Sequence, residues 1–497
     1  MKKFFEKHDL FKIVAILMIL TAVLTWVCRV SMFQNGELVT FSETVKGAPA
    51  IMDDSTVGLF DFNAYFFLVF YVFSNTFVFI FLVHALYKVL GKSKVYSTII
   101  DKFANLFKGK EIIYAGISML FYAALTSIAN DYFVALVFIP FTISILNRLK
   151  VDKVSAFAST FGGVLIGFLG STYSHVISGL IINYGQIPVK YGNELLATII
   201  LAVIAYAVLL ALVGFRIKAK ANDKKKEIVE DSFVTAEVIT TTKSKKKKNT
   251  SIVPMAIALG VFAVIVVLGF IPWETFKITT FTKLHENIQN ATLFGANYPR
   301  VFLGTAQMSE TAYSINALGT WDITVLSSFM LLMMFVFKVI AGIKLNDMID
   351  GIGEGLKKAI KPAILLAMIY SILALTVSYP VVPTFINGIN KAFSANALKP
   401  IGWVLNVFVT TIFTGDVQYT MSMLGGLFQT FKNEQVVAFG LQACYGFAGF
   451  LAPTSVMLML GLSMLDIKFK DYFKFIWKFL LALLALILIV LYILLFV

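Results

Sequence analysis

The sequence predicts an all-α polytopic membrane protein, built from inverted-topology repeats with two re-entrant hairpins and broken helices. Three observations lead there. Of 497 residues, 59% are apolar and only 14% charged, against a usual charged share of ~25%. The apolar stretches run for about twenty residues, the length that crosses a bilayer, and do not alternate as barrel strands do. Short polar interruptions recur within these stretches as two matched pairs. Such a chain cannot clothe a water-soluble enzyme. With 2 Cys it is no disulfide scaffold, and it is neither a disordered chain nor a repeat solenoid.

The net charge of +14 gathers in a few segments between apolar runs. That is how cytoplasmic loops look under the positive-inside rule, so no nucleic-acid partner is expected. Cys28 and Cys444 lie far apart in or beside apolar runs and read as packed thiols. Residues 1–12 carry Lys2, Lys3, Lys7 and Lys12 before an apolar run that ends at Cys28 and Arg29. No small-residue cleavage site follows, so this is a first span with a cytoplasmic N-terminus rather than a signal peptide. The acidic loop 31–61 belongs outside, and residues 62–90 return. Residues 91–111 are basic and amphipathic and suit the inner interface. Residues 112–148 are apolar, broken at Ala129-Asn130-Asp131, and basic at both flanks. Both flanks therefore lie inside, which makes a re-entrant hairpin of two short half-helices. Residues 154–182 run outward with a break at Gly170-Ser171-Thr172, and 194–215 return, completing a first half over 1–215.

Residues 216–251 hold eleven Lys or Arg among Ser and Thr. They read as a cytoplasmic tether that builds no core, with contact to anionic lipid as an alternative role. The second half, 252–497, begins with a span at 253–272 and a polar outer segment over 273–321. An inward span (322–343), an amphipathic stretch (344–358) and an outward span (359–378) follow. Residues 400–430 form a second hairpin, broken at Thr414-Gly415-Asp416. The span 435–462 is broken at Ala452-Pro453-Thr454-Ser455, and 475–496 is the last. The additional span at 359–378 reverses orientation, so the second hairpin opens outward. Asp131 and Thr172 are 41 positions apart, Asp416 and Thr454 38.

Non-helical backbone at membrane depth leaves polar groups unpaired at several kcal/mol each, and is tolerated where it lines a cavity or holds a ligand. Half-helix N-termini attract anions; C-termini and free carbonyls attract cations. The candidate site therefore comprises Asn130, Asp131, Ser171, Thr172, Ser174, His175, Thr414, Gly415, Asp416, Gln418, Pro453, Thr454 and Ser455. A carboxylate at membrane depth is costly and faces a cavity or a partner; the plainer reading is a solvated tip. Asp416 suits a substrate amino group, and Asp131 beside the neutral oxygen of Asn130 suits Na⁺. The hydroxyls suit a carboxylate or Na⁺, or bond back to their own helix. His175 either relays protons or packs neutral. His84 and Asn75 read as packing or interhelical hydrogen bonding within a span rather than ligation, and Lys338 as a snorkelling side chain.

At these residues the chain resembles the YfcC-type permeases, which include ArcD-like basic amino acid antiporters, and the four-carbon dicarboxylate carriers of the ion transporter superfamily. The stretches Gly167-Phe168-Leu169-Gly170-Ser171-Thr172-Tyr173-Ser174 and Leu451-Ala452-Pro453-Thr454-Ser455-Val456-Met457-Leu458 are similar to that family's two broken helices. The first hairpin reads Asn130-Asp131 where such permeases carry an acidic pair. The second reads Thr414-Gly415-Asp416-Val417-Gln418 in place of Ser-Gly-Ser-Gly-Gln. The resemblance implies uptake or exchange of a small amino acid or carboxylate by a protein that often dimerises; the sequence itself shows no dimer motif.

No phosphate-binding Gly-rich loop, zinc-protease helix or serine-nucleophile elbow is present. The expected protein is a multi-pass permease of the cell membrane and not an enzyme. Its partners are the lipid bilayer and a small organic solute, and it needs no cofactor beyond a coupling Na⁺ or H⁺. An amino acid, basic such as arginine or ornithine, is the first substrate expectation because two acids meet at the site. A di- or monocarboxylate moved with Na⁺ or H⁺ is the alternative. A membrane-embedded enzyme would need clustered His or acids, which 4 His do not supply, and a channel would need a filter motif.

Overall fold

Apolar runs flanked by charge fold as helices because only helices satisfy every backbone group within lipid. The computed structural model describes residues 9–28, 31–34, 37–40, 57–174, 179–180, 193–221, 223, 227–231, 233, 251–292, 316–428 and 434–496. In the first half, α1 (Asp9–Val27) leads to a two-stranded antiparallel hairpin, β1 (Ser31–Gln34) with β2 (Glu37–Thr40), in which Ser31 pairs with Thr40. Next come α2 (Leu59–Val72), α3 (Ser74–Gly91) and the amphipathic α4 (Lys94–Leu106). The first hairpin is α5 (Glu111–Ile128), a 3₁₀ turn (Tyr132–Val134) and α6 (Ala135–Arg148). Then follow α7 (Lys153–Ser159), α8 (Phe161–Leu169) and α9 (Asn193–Lys220). The second half has α10 (Val253–Phe270), α11 (Thr280–Asn290), α12 (Ile323–Ala341), α13 (Leu345–Ser378) and α14 (Val382–Ala392). The second hairpin is α15 (Lys399–Thr414) with α16 (Val417–Phe428), followed by α17 (Glu434–Leu451), α18 (Val456–Met464) and α19 (Phe469–Phe496).

Among the described residues, nine helical segments are long and apolar enough to cross a membrane. Their outward faces are apolar too, with Val27, Phe215 and Val339 all well exposed. In water such a surface would associate; against lipid it is neutral. The chain is an all-α polytopic membrane protein.

Several expected boundaries move. The stretch 344–358 is not separate from the span 359–378: α13 is one helix of 34 residues with Pro362 inside it. Lys88 of α3 and Lys92, just past its C-terminus, pair with Glu354 of α13 at 3.4 and 2.6 Å, which anchors the polar end on the protein. The span expected at 62–90 is interrupted at Phe73, where α2 ends and α3 begins. The first limb of hairpin one, α5, has 18 residues and is long enough to cross a bilayer, so it is more than a half-helix. The tether does not begin at 216, because α9 runs to Lys220. Nor is it without a core, since Val229 and Phe233 are buried.

Hairpin one lies against α8, and α8 packs on α17 of the second half. The α8–α17 crossing is close: a Cβ on Gly446 would stand 2.5 Å from the Leu169 Cα, so only glycine fits. Hairpin two lies between α17 and α13. The base of hairpin one, the end of α9 and the starts of α1 and α19 surround one cavity, lined by Asp9, Asp152, Arg216 and Lys468. The base of hairpin two lies elsewhere, with α14 beside α15, and β1 and β2 beside α14.

Candidate functional site

Each hairpin tip is clasped to the broken helix of its own half, and by the same kind of bond. In the first half the Thr172 backbone N–H donates to Ser127 O at 2.9 Å, and the Thr172 hydroxyl reaches the same carbonyl at 3.2 Å. Ser127 Oγ donates to Gly170 O at 2.5 Å. In the second half the Thr454 hydroxyl donates to Thr411 O at 3.0 Å and Ile412 O at 2.8 Å. The clasp is tight at Gly415. Its φ is +66°, and a Cβ there would meet Thr454 O at 2.5 Å. Glycine alone adopts that conformation readily and leaves that space. From α13, Thr376 Oγ1 donates to Phe413 O at 3.0 Å and so holds the same tip from the other side.

The two tips also meet each other. The Tyr132 hydroxyl, one residue beyond Asp131, lies 3.4 Å from Asp416 Oδ2. Asp131 lies within electrostatic reach of Asp416 and of Asp322, the N-cap of α12. The Tyr132 ring stands edge-on to Phe168 at 5.0 Å, and Phe168 lies 6.1 Å from Tyr445. Tyr370 stacks on Phe73 at 3.9 Å, which sets the α2–α3 interruption beside this cluster. Asp416 acts electrostatically on Tyr370 and Tyr445 as well.

The site residues expected from sequence fall into distinct roles. Asp131 Oδ1 accepts from the Phe133 N–H at 2.8 Å, and Asp416 Oδ1 from the Gln418 N–H at 2.8 Å. Each carboxylate therefore caps the second limb of its own hairpin, a job that short polar side chains do well. Neither is a freely solvated tip; both are half-buried. Asn130 donates through Nδ2 to Gly319 O at 2.5 Å, and its N–H donates to Phe270 O at 2.8 Å. Its Oδ1 is buried without a partner. Ser171, Thr172, Ser174, Thr414, Thr454 and Ser455 are buried, and Pro453 is half-buried. Thr414 shares a hydrogen bond with Thr420 at 2.5 Å. The Gln418 residue is exposed, and its backbone N–H joins the site through Asp416. His175 lies outside the described residues.

The carbonyls at the first break do not stand open to a ligand. Instead Gly170 O takes the Ser127 hydroxyl, and Ser171 O and Leu169 O take the Gln442 amide at 2.5 and 3.4 Å. Those acceptors are satisfied by protein donors, as buried carbonyls nearly always are. At Asn130 and Asp131, where Na⁺ was expected, the Asn130 Oδ1 is buried without a partner one residue before the carboxylate. Sequence reasoning missed Gln442, Tyr132, Tyr370, Tyr445, Ser127 and Thr376. A lone amide in an apolar helix was the one signal for Gln442. The others look like ordinary packing until the tips are brought together.

Not every helix start is occupied. The N-cap of α18, Ser455, makes no side-chain capping bond to the first turn that follows Pro453-Thr454. Such an end carries partial positive charge and suits an anion. Among the described residues every ion pair lies away from the tips.

A multi-pass membrane chain whose two halves each lay a hairpin against a broken helix has the architecture of a carrier. The chain belongs to the C4-dicarboxylate anaerobic carrier (DcuC) family, whose model it matches over residues 8–496. This is the carboxylate branch of the resemblance read from sequence; the match does not narrow to YfcC-type permeases or to basic amino acid exchange. No curated protein matches the chain. Among solved structures it is similar to the YdaH transporter of Alcanivorax borkumensis, at 13% identity and a TM-score of 0.40, covering 97% of each chain. It is also similar to MtrF of Neisseria gonorrhoeae, described as one of a class of antimetabolite efflux pumps. There the identity is 11% and the TM-score 0.37, covering 97% of this chain and 94% of that one.

Proposed function

We propose that the protein is a secondary active carrier for small carboxylates of the four-carbon dicarboxylate type. It works by alternating access in the cell membrane with its N-terminus cytoplasmic, and the two halves act as inverted-topology repeats around one site. The observation that carries the substrate reading is the open N-terminus of α18 behind Thr454 and Ser455. One substrate carboxylate is received there by backbone N–H groups and the Ser455 hydroxyl. Phenols and hydroxyls around Tyr132 and Thr172 receive the other.

Family membership favours the carboxylate over the amino acid. The argument for an amino group rested on two acids at the site, and both acids have another task as helix caps. A dicarboxylate beside Asp131 and Asp416 would nonetheless gather up to four negative charges with no Lys or Arg paired there among the described residues. Uncompensated charge in a low-dielectric site costs several kcal/mol per ion. Cations therefore travel with the substrate, and Asp131 and Asp416 are where they are held.

The test is uptake into liposomes containing the purified protein, with labelled dicarboxylates, monocarboxylates and basic amino acids, each with and without H⁺ and Na⁺ gradients. Saturable, gradient-driven dicarboxylate uptake is expected. Uptake of arginine or ornithine with no carboxylate transport would overturn the reading.

A further inference from the structure

We propose that residues 227–231 with Phe233 form a strap across the base of the first hairpin, one that must let go in each transport cycle. The inference rests on the carrier reading above. The segment lies in the basic linker but is itself acidic and apolar, Glu227-Ile228-Val229-Glu230-Asp231-Ser232-Phe233.

Its described residues add a short antiparallel strand to the chain between α6 and α7. The Lys153 N–H donates to Glu227 O at 3.0 Å and the Val229 N–H to Val151 O at 3.0 Å, around a bridge of Asp152 with Ile228. Asn147 Nδ2 donates to Val229 O at 2.6 Å. Asp231, nearly buried, accepts from Ser144 Oγ at 3.1 Å and lies 3.4 Å from Arg148 Nη1. Arg148 also holds Asp101 of α4 at 2.8 Å. Phe233 is 3% exposed and lies 5.7 Å from the His84 ring and 6.0 Å from the Tyr87 ring, both on α3.

The strap thus ties the lower end of α6 to α3 and α4. The upper end of α6 begins at the tip that carries Asp131 and Tyr132. Helix α6, 14 residues and about 21 Å long with Pro140 inside it, carries that restraint towards the tip. Fixing one end against α3 fixes the other, and α3 is in turn packed on α13 of the second half. A tip that must be uncovered from each side in turn cannot move against α3 while the strap is seated.

Two observations suit a contact built to open. Arg148 Nη2 is buried without a partner, so the ion pairing at the centre of the strap is incomplete. The outer side of the strap forms one wall of a cavity of about 1000 Å³. Glu227 and Glu230 line that wall, Asp152 and Arg216 line another, and Lys361 and Lys468 of the second half face them. A cavity of that size with a polar lining holds water, so the released strap has solvent to enter.

The test locks the strap. Val151 and Val229 are opposed residues of an antiparallel pair, whose Cα atoms stand about 5.5 Å apart, within disulfide reach. In a protein with Cys28→Ala and Cys444→Ala, Val151→Cys with Val229→Cys is oxidised, reconstituted and assayed. Turnover should fall at least about tenfold and return on reduction, while substrate still raises the thermal midpoint of the locked protein. Transport by the cross-linked protein at the reduced rate overturns the strap. If the reduced pair moves no substrate at all, thiol labelling decides. In single Val229→Cys protein that keeps Cys444 as an internal reference, the 229 thiol should react with a water-soluble reagent well before buried Cys444. Equal protection of the two overturns the proposal. Failure of every carboxylate in the unmodified protein would indict the substrate reading and not the strap.

Discussion

Asp416 separates two readings of the site, because one side chain is asked both to cap a helix and to carry charge. Asp416→Asn keeps an oxygen for the Gln418 N–H, now at 2.8 Å, and asparagine caps about as well as aspartate. Tyr132, at 3.4 Å from the other oxygen, can rotate its hydroxyl to accept from the new amide. Stability should therefore change by less than about 0.5 kcal/mol, since one good cap replaces another. Asp416→Ala removes the cap at about 0.5–2 kcal/mol and strands the Tyr132 hydroxyl for about 1 kcal/mol more. If the carboxylate holds the coupling cation, both variants lose gradient-driven accumulation, although only the alanine variant is destabilised. Substrate exchange without a gradient should survive in Asp416→Asn. The measurements are thermal midpoints in detergent, uptake under an imposed gradient, and exchange in its absence. Wild-type accumulation and ion dependence in Asp416→Asn would refute the reasoning and leave Asp416 a helix cap alone.

The remaining predictions concern the frame of the site. Gly415→Ala forces a non-glycine residue to a φ of +66°, at about 1 kcal/mol, and drives a methyl at Thr454 O; uptake should fall more than about tenfold, and a normal rate would show that the tip and the break need not touch. Gln442→Leu strands the carbonyls of Leu169 and Ser171, for about 1–3 kcal/mol each, so the thermal midpoint should drop several degrees and substrate KM should rise. An unchanged midpoint would mean that water replaces the amide. Cysteine introduced at the exposed Ala395 should react with an impermeant reagent added outside intact cells, and cysteine at the exposed Ala219 should not; the reverse pattern would invert the topology.

The sequence alone determined the class of fold and the positions of the breaks. Lipid admits only continuous backbone pairing, so the apolar runs had to be helices. Their interruptions at 129–131, 170–172, 414–416 and 452–455 could be read directly, and the structure puts helix ends at all four. The short-range reading of His84 as packing also stands, since its Nδ1 meets Ile80 O at 2.8 Å within its own helix. What the sequence did not reveal depends on contacts between distant segments. The pairing of Ser127 with Thr172 spans 45 positions, and that of Tyr132 with Asp416 spans 284. Hydropathy reports whether a residue suits lipid or water, and Tyr132, Gln442 and Thr376 suit a packed interior without saying which partner they meet. The same limit hid the strap. Residues 227–233 lie amid lysines that no core would accept, and local composition made them a tether. Only the groove left between α3, α4 and the base of α6 gives Phe233 somewhere apolar to go and Asp231 an arginine to face. The candidate site was legible as a set of residues, while its carbonyls, taken by Gln442 and Ser127 instead of standing open, were decided by how α8 packs on α17 and α5.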